Sequence, residues 1–228
     1  GAAAVSRERF RLIVFDWDGT LIDSTAAIVQ AIQASAADLA LPVPTRERAS
    51  HVIGLGLLEA IHFAVPAIAR EQVPAYVERY RYHYLRRDAH LVPFEGVPEL
   101  LTELIDSGAW LAVATGKSRA GLDRALVQMG WAGRFLTTRC ADEGAPKPDP
   151  WMLRDICDEL GLDPAEALMV GDTTHDLGMA RAAGARAIAV TYGAHPREEL
   201  EAEPSLVLVD SVAELREALL ARLEVRRK

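Results

Sequence analysis

Cysteine, long apolar runs and clustered positive charge are all scarce in this chain. Its only cysteines are Cys140 and Cys157. They are too few for a disulfide framework and lack the four-ligand spacing of a structural zinc site, so a reducing cytoplasm is the expected compartment. The longest mainly apolar stretches, such as Trp110 to Ala114 and Leu206 to Val209, fall far short of the roughly 20 residues that cross a bilayer. A membrane-spanning helix is excluded. Lys and Arg number 25 against 33 Asp and Glu, a formal charge of −8, and no basic run is long enough to follow a phosphate backbone. Neither nucleic acid nor a membrane surface is expected as a partner, and any positive field must be local. The opening Gly1-Ala2-Ala3-Ala4 has no basic stretch leading into an apolar core and reads as a short unstructured start without a targeting signal.

What is present is a chain of 228 residues, 50% hydrophobic and 25% charged, enough for one core or a core with a small accessory domain. Arg11-Leu-Ile-Val-Phe-Asp16 is a continuous apolar run that stops at an acidic residue and a glycine turn, the pattern of a strand buried on both faces. Short β-rich runs recur at Trp110 to Thr115, Phe135 to Arg139, Ala167 to Gly171, Arg186 to Thr191 and Leu206 to Val209, with helix-period segments between the later ones. This alternation predicts an α/β fold, a doubly wound, Rossmann-like parallel sheet of five to six strands. Asp149-Pro150 reads as a helix N-cap with proline at the first helical position, Gly184 as a helix stop, and Ser211 as the cap of the last helix.

Between the first two strands lie roughly 90 residues where a single crossover unit needs about 30. The excess reads as helical throughout: Ala26 to Leu39, Leu57 to Ala69 and Val73 to Arg87, with breaks at Pro42, Pro44, Gly54, Gly56 and Pro74. The expected division is a catalytic core of residues 1–23 plus 93–228 and an inserted helical cap domain of residues 24–92. The linkers fall near Leu21 to Ser24 and Leu91 to Gly96, and the cap would act as a lid over the end of the first strand. A hinge at the second linker leads to the expectation that Gly96→Pro lowers turnover more than stability.

Four polar segments follow strands: Asp16-Trp17-Asp18-Gly19-Thr20, Thr115-Gly116-Lys117, Lys147-Pro148-Asp149-Pro150 and Gly171-Asp172-Thr-Thr-His-Asp176. In an open parallel sheet the carboxyl ends of the strands share one edge, so these segments converge. In order and placement they resemble the four signatures of the haloacid dehalogenase superfamily of phosphohydrolases, across about Leu12 to Val209, with the insertion matching that superfamily's helical cap. Asp-x-Asp-Gly-Thr is the specific part of the match.

The residue chemistry is consistent with this. Carboxylates at i and i+2 leave a strand on the same side, so Asp16 and Asp18 can address one substrate, one as nucleophile and one as proton carrier. Asp172 adds a third carboxylate. A hard cation with oxygen ligands and several waters, Mg²⁺, would hold such a cluster ionised beside a phosphate. By the resemblance, the metal is held by the Asp16 carboxylate, the Asp18 backbone carbonyl and the Asp172 carboxylate, with Asp176 behind, reaching Lys147 directly or through water. Asp16 attacks phosphorus to give an aspartyl phosphate, and Asp18 protonates the leaving alcohol and then deprotonates the hydrolytic water. Thr115 and Lys147, supported by the turns at Gly19 and Gly116, hold the phosphoryl oxygens. Trp17 stands where an aliphatic residue or Phe is more usual. His175 reads as structural, and the Arg79 to Arg87 stretch as a solvated helix face.

Asp18 separates this chain from the dehalogenase branch, which lacks an Asp there. The only lysines are Lys117, Lys147 and Lys228, so the insertion has no Schiff-base lysine of the phosphonoacetaldehyde-hydrolase kind. The run Ala114-Thr-Gly-Lys-Ser-Arg119 and the Pro-Lys-Pro-Asp-Pro loop look most like the phosphoglycolate phosphatase group, which implies a small-molecule phosphoester substrate. Its carboxylate would be read by Arg46, Arg48, His51 or the N–H groups of the Gly54-Leu55-Gly56 turn. A β-phosphoglucomutase-type phosphomutase uses the same two carboxylates and is the alternative. More distant is a non-catalytic module in which Asp16 is merely phosphorylated. Oligomeric state is not readable.

Overall fold

The computed structural model describes residues 8–224; the reading of residues 1–4 lies outside them. Six strands, β1 (Leu12–Phe15), β2 (Trp110–Thr115), β3 (Thr137–Cys140), β4 (Ala167–Gly171), β5 (Arg186–Val190) and β6 (Val207–Val209), form one sheet in the order β3-β2-β1-β4-β5-β6. Every neighbouring pair is parallel. The winding changes direction at β1, which opens a crevice at the carboxyl ends of β1, β2 and β4.

Ten α-helices, with short 3-10 turns at Arg70–Gln72 and Pro164–Glu166, complete the described chain: α1 (Thr25–Asp38), α2 (Arg46–His51), α3 (Leu57–Ala64), α4 (Val73–Asp88), α5 (Val97–Asp106), α6 (Arg119–Met129), α7 (Trp151–Leu160), α8 (Thr174–Ala183), α9 (Arg197–Glu201) and α10 (Val212–Leu220). The period of two along the strands divides the core. Ile13, Phe15, Val113 and Val170 pack with Leu104 of α5 and Leu219 of α10, whereas Leu12, Val14 and Met169 pack with Ile156 of α7 and Leu177 of α8. Both faces are covered, which explains why the strands read as unbroken apolar runs.

Helices α1 to α4 gather a third cluster that includes Ile28, Ile32, Ile61 and Tyr76. The segments that lead into and out of this layer run side by side. Ile22 pairs antiparallel with Pro93, and the N–H groups of Asp23 and Phe94 donate to the carbonyls of Val92 and Leu21 at 2.9 and 3.0 Å.

Gly184 ends α8 in the left-handed region and the Ser211 hydroxyl accepts the Glu214 N–H, both as expected. Four local expectations are corrected. β3 begins at Thr137 because Phe135 is drawn into the core and Leu136 is exposed. Helix α3 stops at Ala64 because Val65 precedes Pro66, and a residue before proline is pushed out of helical geometry. The N-cap of α7 is Pro150, while Asp149 accepts the Trp151 N–H from one position earlier. Gly96 caps α5 at φ +90°, which the proline ring forbids. Gly96→Pro therefore strains the fold directly and does not isolate a hinge.

Candidate active site

The Asp16 N–H donates to the Val170 carbonyl at 3.0 Å, which sets Asp16 at the junction of β1 and β4. The next side chain, Trp17, points the other way and is buried edge-on against Trp131 and Phe135 at 5.6 and 6.2 Å between ring centroids. The unusual tryptophan is thus a filler beneath the site. Its carbonyl accepts the N–H groups of Leu21 and Ile22, closing the turn that carries Asp18 and Gly19. Gly19 has φ +79°, and a Cβ there would lie 2.1 Å from Asp172 Oδ2. Both facts require glycine. Asp18, half-buried, accepts a 2.7 Å hydrogen bond from the Ser24 hydroxyl.

Lys147 is fully buried between two carboxylates, with Nζ 2.8 Å from both Asp16 Oδ1 and Asp176 Oδ1. Asp16 Oδ1 also accepts the Trp17 N–H. Asp176 Oδ2 accepts the N–H groups of Asp172 and Thr173 and the Thr173 hydroxyl, so Asp176 caps α8 and anchors Lys147 together. Asp172 accepts from the Thr20 hydroxyl at 3.0 Å and the Ala194 N–H at 2.8 Å. Asp16 Oδ2 is buried without a hydrogen-bond partner.

Asp16, Asp172 and Asp176 bring carboxylate oxygens within 4.8 Å of one another, and Lys147 is the ammonium among them. Burial, then repulsion from Asp176, raises the Asp16 pKa well above the carboxylate range and pushes Asp172 up to about 6. Burial alone would also raise Asp176; the Lys147 charge and its hydrogen bonds prevail and hold it low. The same two carboxylates hold Lys147 protonated against burial. An all-oxygen donor set with excess negative charge and an unpartnered buried oxygen suits a hard divalent cation.

Thr115 is buried at the end of β2 and its hydroxyl accepts the Lys117 N–H at 3.1 Å. A Cβ on Gly116 would lie 2.6 Å from the Gly54 carbonyl oxygen, so glycine at 116 lets the β2 loop touch the helical layer. Above Asp16 and Asp18 opens a cavity of about 500 Å³, lined also by Gly54, Leu55, Gly116 and Lys117. The remaining carboxylate readers expected from the insertion lie elsewhere. Gly56 sits against Pro146, Arg46 is exposed, and Arg48 donates to the Phe63 carbonyl. Arg79 and Arg87 pair with Asp38 and Gln30 on the outer side of α4, but the Arg79 to Arg87 stretch is a solvated face only in part, because Tyr80 and Tyr84 turn into the cavity.

His51 contributes its backbone. Its carbonyl accepts Nε2–H of His175 at 2.6 Å and Nε2–H of His195 at 2.9 Å, and its ring stacks on His195. His195 Nδ1 accepts the Thr174 N–H at 3.0 Å, so both its nitrogens are engaged. The three histidines form a clasp between the helical layer and the sheet. Burial pushes His175 down to about 4 against the opposing hydrogen bond to the His51 carbonyl. The unfolded chain binds that proton near pH 6.5, so the clasp's contribution is complete above this value and is lost as pH falls towards 4. Wild type is expected to lose up to roughly 3 kcal/mol more than His175→Gln over that window in urea unfolding. Equal losses would remove the clasp's role.

Sequence reasoning placed Thr20 and Lys117 in the converging segments without giving either a role, and missed Ser24, Ala194 and His195 as site residues. Ala194 and His195 had a signal, because the loop after β5 is a fifth segment at the same sheet edge. Ser24 had none beyond proximity to Asp18.

A parallel sheet with this carboxylate and lysine cluster at its switch point defines a family of enzymes, and the profile of haloacid dehalogenase-like hydrolases matches residues 13–190. The chain belongs to that family. It is 39% identical to the probable phosphatase IndB of Dickeya dadantii, covering 90% of this chain and 91% of the relative. It is 31% identical to the N-acetylmuramic acid 6-phosphate phosphatase of Pseudomonas aeruginosa, covering 94% and 97%. The solved structure of a predicted phosphoglycolate phosphatase from Haemophilus somnus aligns with TM-score 0.78 at 25% identity, covering 92% of this chain and 97% of that one. The protein is an enzyme, and the class its relatives define is the phosphatases, in the phosphoglycolate phosphatase-like group.

Proposed function

We propose that this enzyme is a Mg²⁺-dependent phosphomonoester hydrolase acting on a small phosphorylated metabolite through an aspartyl phosphate on Asp16. The observation that carries the reading is the pairing of Asp16 with the buried Lys147 at 2.8 Å, beside Asp172 and at the floor of a cavity. Mg²⁺ would be held by the carboxylates of Asp16 and Asp172 and the Asp18 backbone carbonyl, and would neutralise phosphate charge and keep Asp16 ionised.

The Asp16 carboxylate attacks phosphorus as the ester oxygen departs, and Asp18 gives that oxygen its proton. Asp18, then a carboxylate, takes a proton from water as the water attacks the aspartyl phosphate, releasing inorganic phosphate and restoring Asp16. Ser24, at 2.7 Å, fixes the Asp18 rotamer. Lys147 and Thr115 stabilise charge on the transferring oxygens. Residues 24–92 act as the cap that closes over this chemistry, with the paired linkers as its neck. The buried free thiols of Cys140 and Cys157 suit a reducing cytoplasm, and no helix among the described residues is long and apolar enough to cross a membrane.

The test is steady-state phosphate release from a panel of phosphomonoesters with Mg²⁺ and with excess chelator. Multiple turnover with Mg²⁺ and at least about a hundredfold loss with chelator are expected. A phosphorylated protein lasting minutes without turnover would favour a binding module, and isomerisation of β-glucose 1-phosphate would favour a mutase.

A further inference from the structure

The phosphatase reading leaves the shape and lining of the cavity unexplained. Its volume is about 500 Å³, and much of its wall is Ile28 and Ile32 of α1, Ile61 of α3, and Tyr76, Tyr80 and Tyr84 of α4. Several polar groups of that wall are already partnered. The Tyr76 hydroxyl donates to the Ile32 carbonyl at 2.9 Å, and the Ser118 hydroxyl accepts the Gly121 N–H. Lys117 Nζ donates to the Tyr84 hydroxyl at 2.7 Å and lies 3.8 Å from Asp18 Oδ2. Arg124 is paired with Asp88 at 2.9 Å. Arg81 is exposed at the rim.

Resting on the phosphatase reading, we propose that the preferred substrates are phosphate monoesters whose leaving alcohol carries a bulky, uncharged, largely apolar body, seated between α1, α3 and α4. A two-carbon acid would fill little of the cavity. Its carboxylate would meet isoleucine and tyrosine side chains with no uncommitted cation in the interior, which is costly. An apolar body instead displaces water from this wall and gains from burial. Lys117 joins the wall to the proton carrier through Tyr84 and Asp18, so a body that packs against Tyr84 also orders the side of the site from which the leaving oxygen is protonated.

The test compares kcat/KM, with saturating Mg²⁺, for methyl, butyl, hexyl and 2-phenylethyl phosphate against phosphoglycolate and glycerol 3-phosphate. Alkyl esters are used because nitrophenyl esters react through the acidity of their leaving group and mask contacts with the wall. Each buried methylene should add about three- to fourfold, so hexyl phosphate should exceed methyl phosphate by at least about a hundredfold and should exceed phosphoglycolate. Tyr80→Ala should shrink the hexyl-to-methyl ratio at least about fivefold. Release that shows no chain-length preference, or that favours phosphoglycolate or glycerol 3-phosphate, overturns the substrate class and leaves the phosphatase reading standing. An unchanged ratio in Tyr80→Ala overturns the seat. No release from any ester overturns the phosphatase reading itself.

Discussion

Asp16→Asn is expected to lower kcat by at least about four orders of magnitude and to leave no phosphorylated protein detectable by mass spectrometry after mixing with substrate. An amide cannot attack phosphorus as a carboxylate does, yet its oxygen can still accept from Lys147 and the Trp17 N–H, which hold Asp16 Oδ1 at 2.8 Å each. Positioning should survive while chemistry is lost. Stability should move the other way. Burial and the neighbouring Asp176 raise the Asp16 pKa above its unfolded value, so the folded protein takes up a proton on folding. Its stability then falls as pH climbs from the ordinary carboxylate range through the raised pKa. The asparagine variant lacks that loss, and without divalent cation its Tm at pH 8 should equal or exceed that of wild type. A rate within tenfold of wild type would sink the nucleophile assignment.

Lys147→Met should cost more in stability than any surface change. The methionine fills the space, but Asp16 and Asp176 each lose a 2.8 Å ammonium partner. Breaking a buried pair by removing one member typically costs about 3–5 kcal/mol, or roughly 10 °C in Tm for a chain of this size. The deficit has a pH signature. With the lysine gone, both carboxylates bind protons more readily in the folded state, so the variant should recover part of its loss between pH 8 and pH 5. Catalysis should fall by about two to three orders of magnitude as well, since the transferring oxygens lose a cation. A Tm within about 2 °C of wild type at both pH values, measured by calorimetry, would show that the pair is dispensable.

The core of the site was readable because topology does the assembling. In a parallel sheet, residues just past strand ends share an edge, so Asp16, Thr115 and Asp172 could be grouped from strand positions alone, and the structure does bring Lys147 to them. The helical segment was less readable, for a physical reason. Ile28 and Ile32 stand one helical turn apart whether they face a core or a ligand, and here they, like Ile61 of α3, do both. His51 was legible as a residue and not as a role, because its carbonyl carries the clasp and a carbonyl leaves no trace in side-chain identity. Arg46 and Arg48 attracted attention by charge, yet the turn of α2 sends them to solvent. β3 was read two residues early because the buried Phe135 just ahead of the paired stretch looks like part of it.

The neighbouring entry and exit of the helical segment bear on how such a protein can change over generations. Ile22 and Pro93 stand side by side, and hydrogen bonds at 2.9 and 3.0 Å tie the incoming strand of the neck to the outgoing one. A segment whose two ends meet at one point can lengthen, shorten or be exchanged without threading through the sheet or altering its register. The residues that would carry the reaction are anchored outside that segment, on the sheet and the loops beyond it. Selection for a new alcohol can therefore rework the residues between Ser24 and Val92 as a cassette, while Asp16, Lys147 and Asp172 stay under separate constraint.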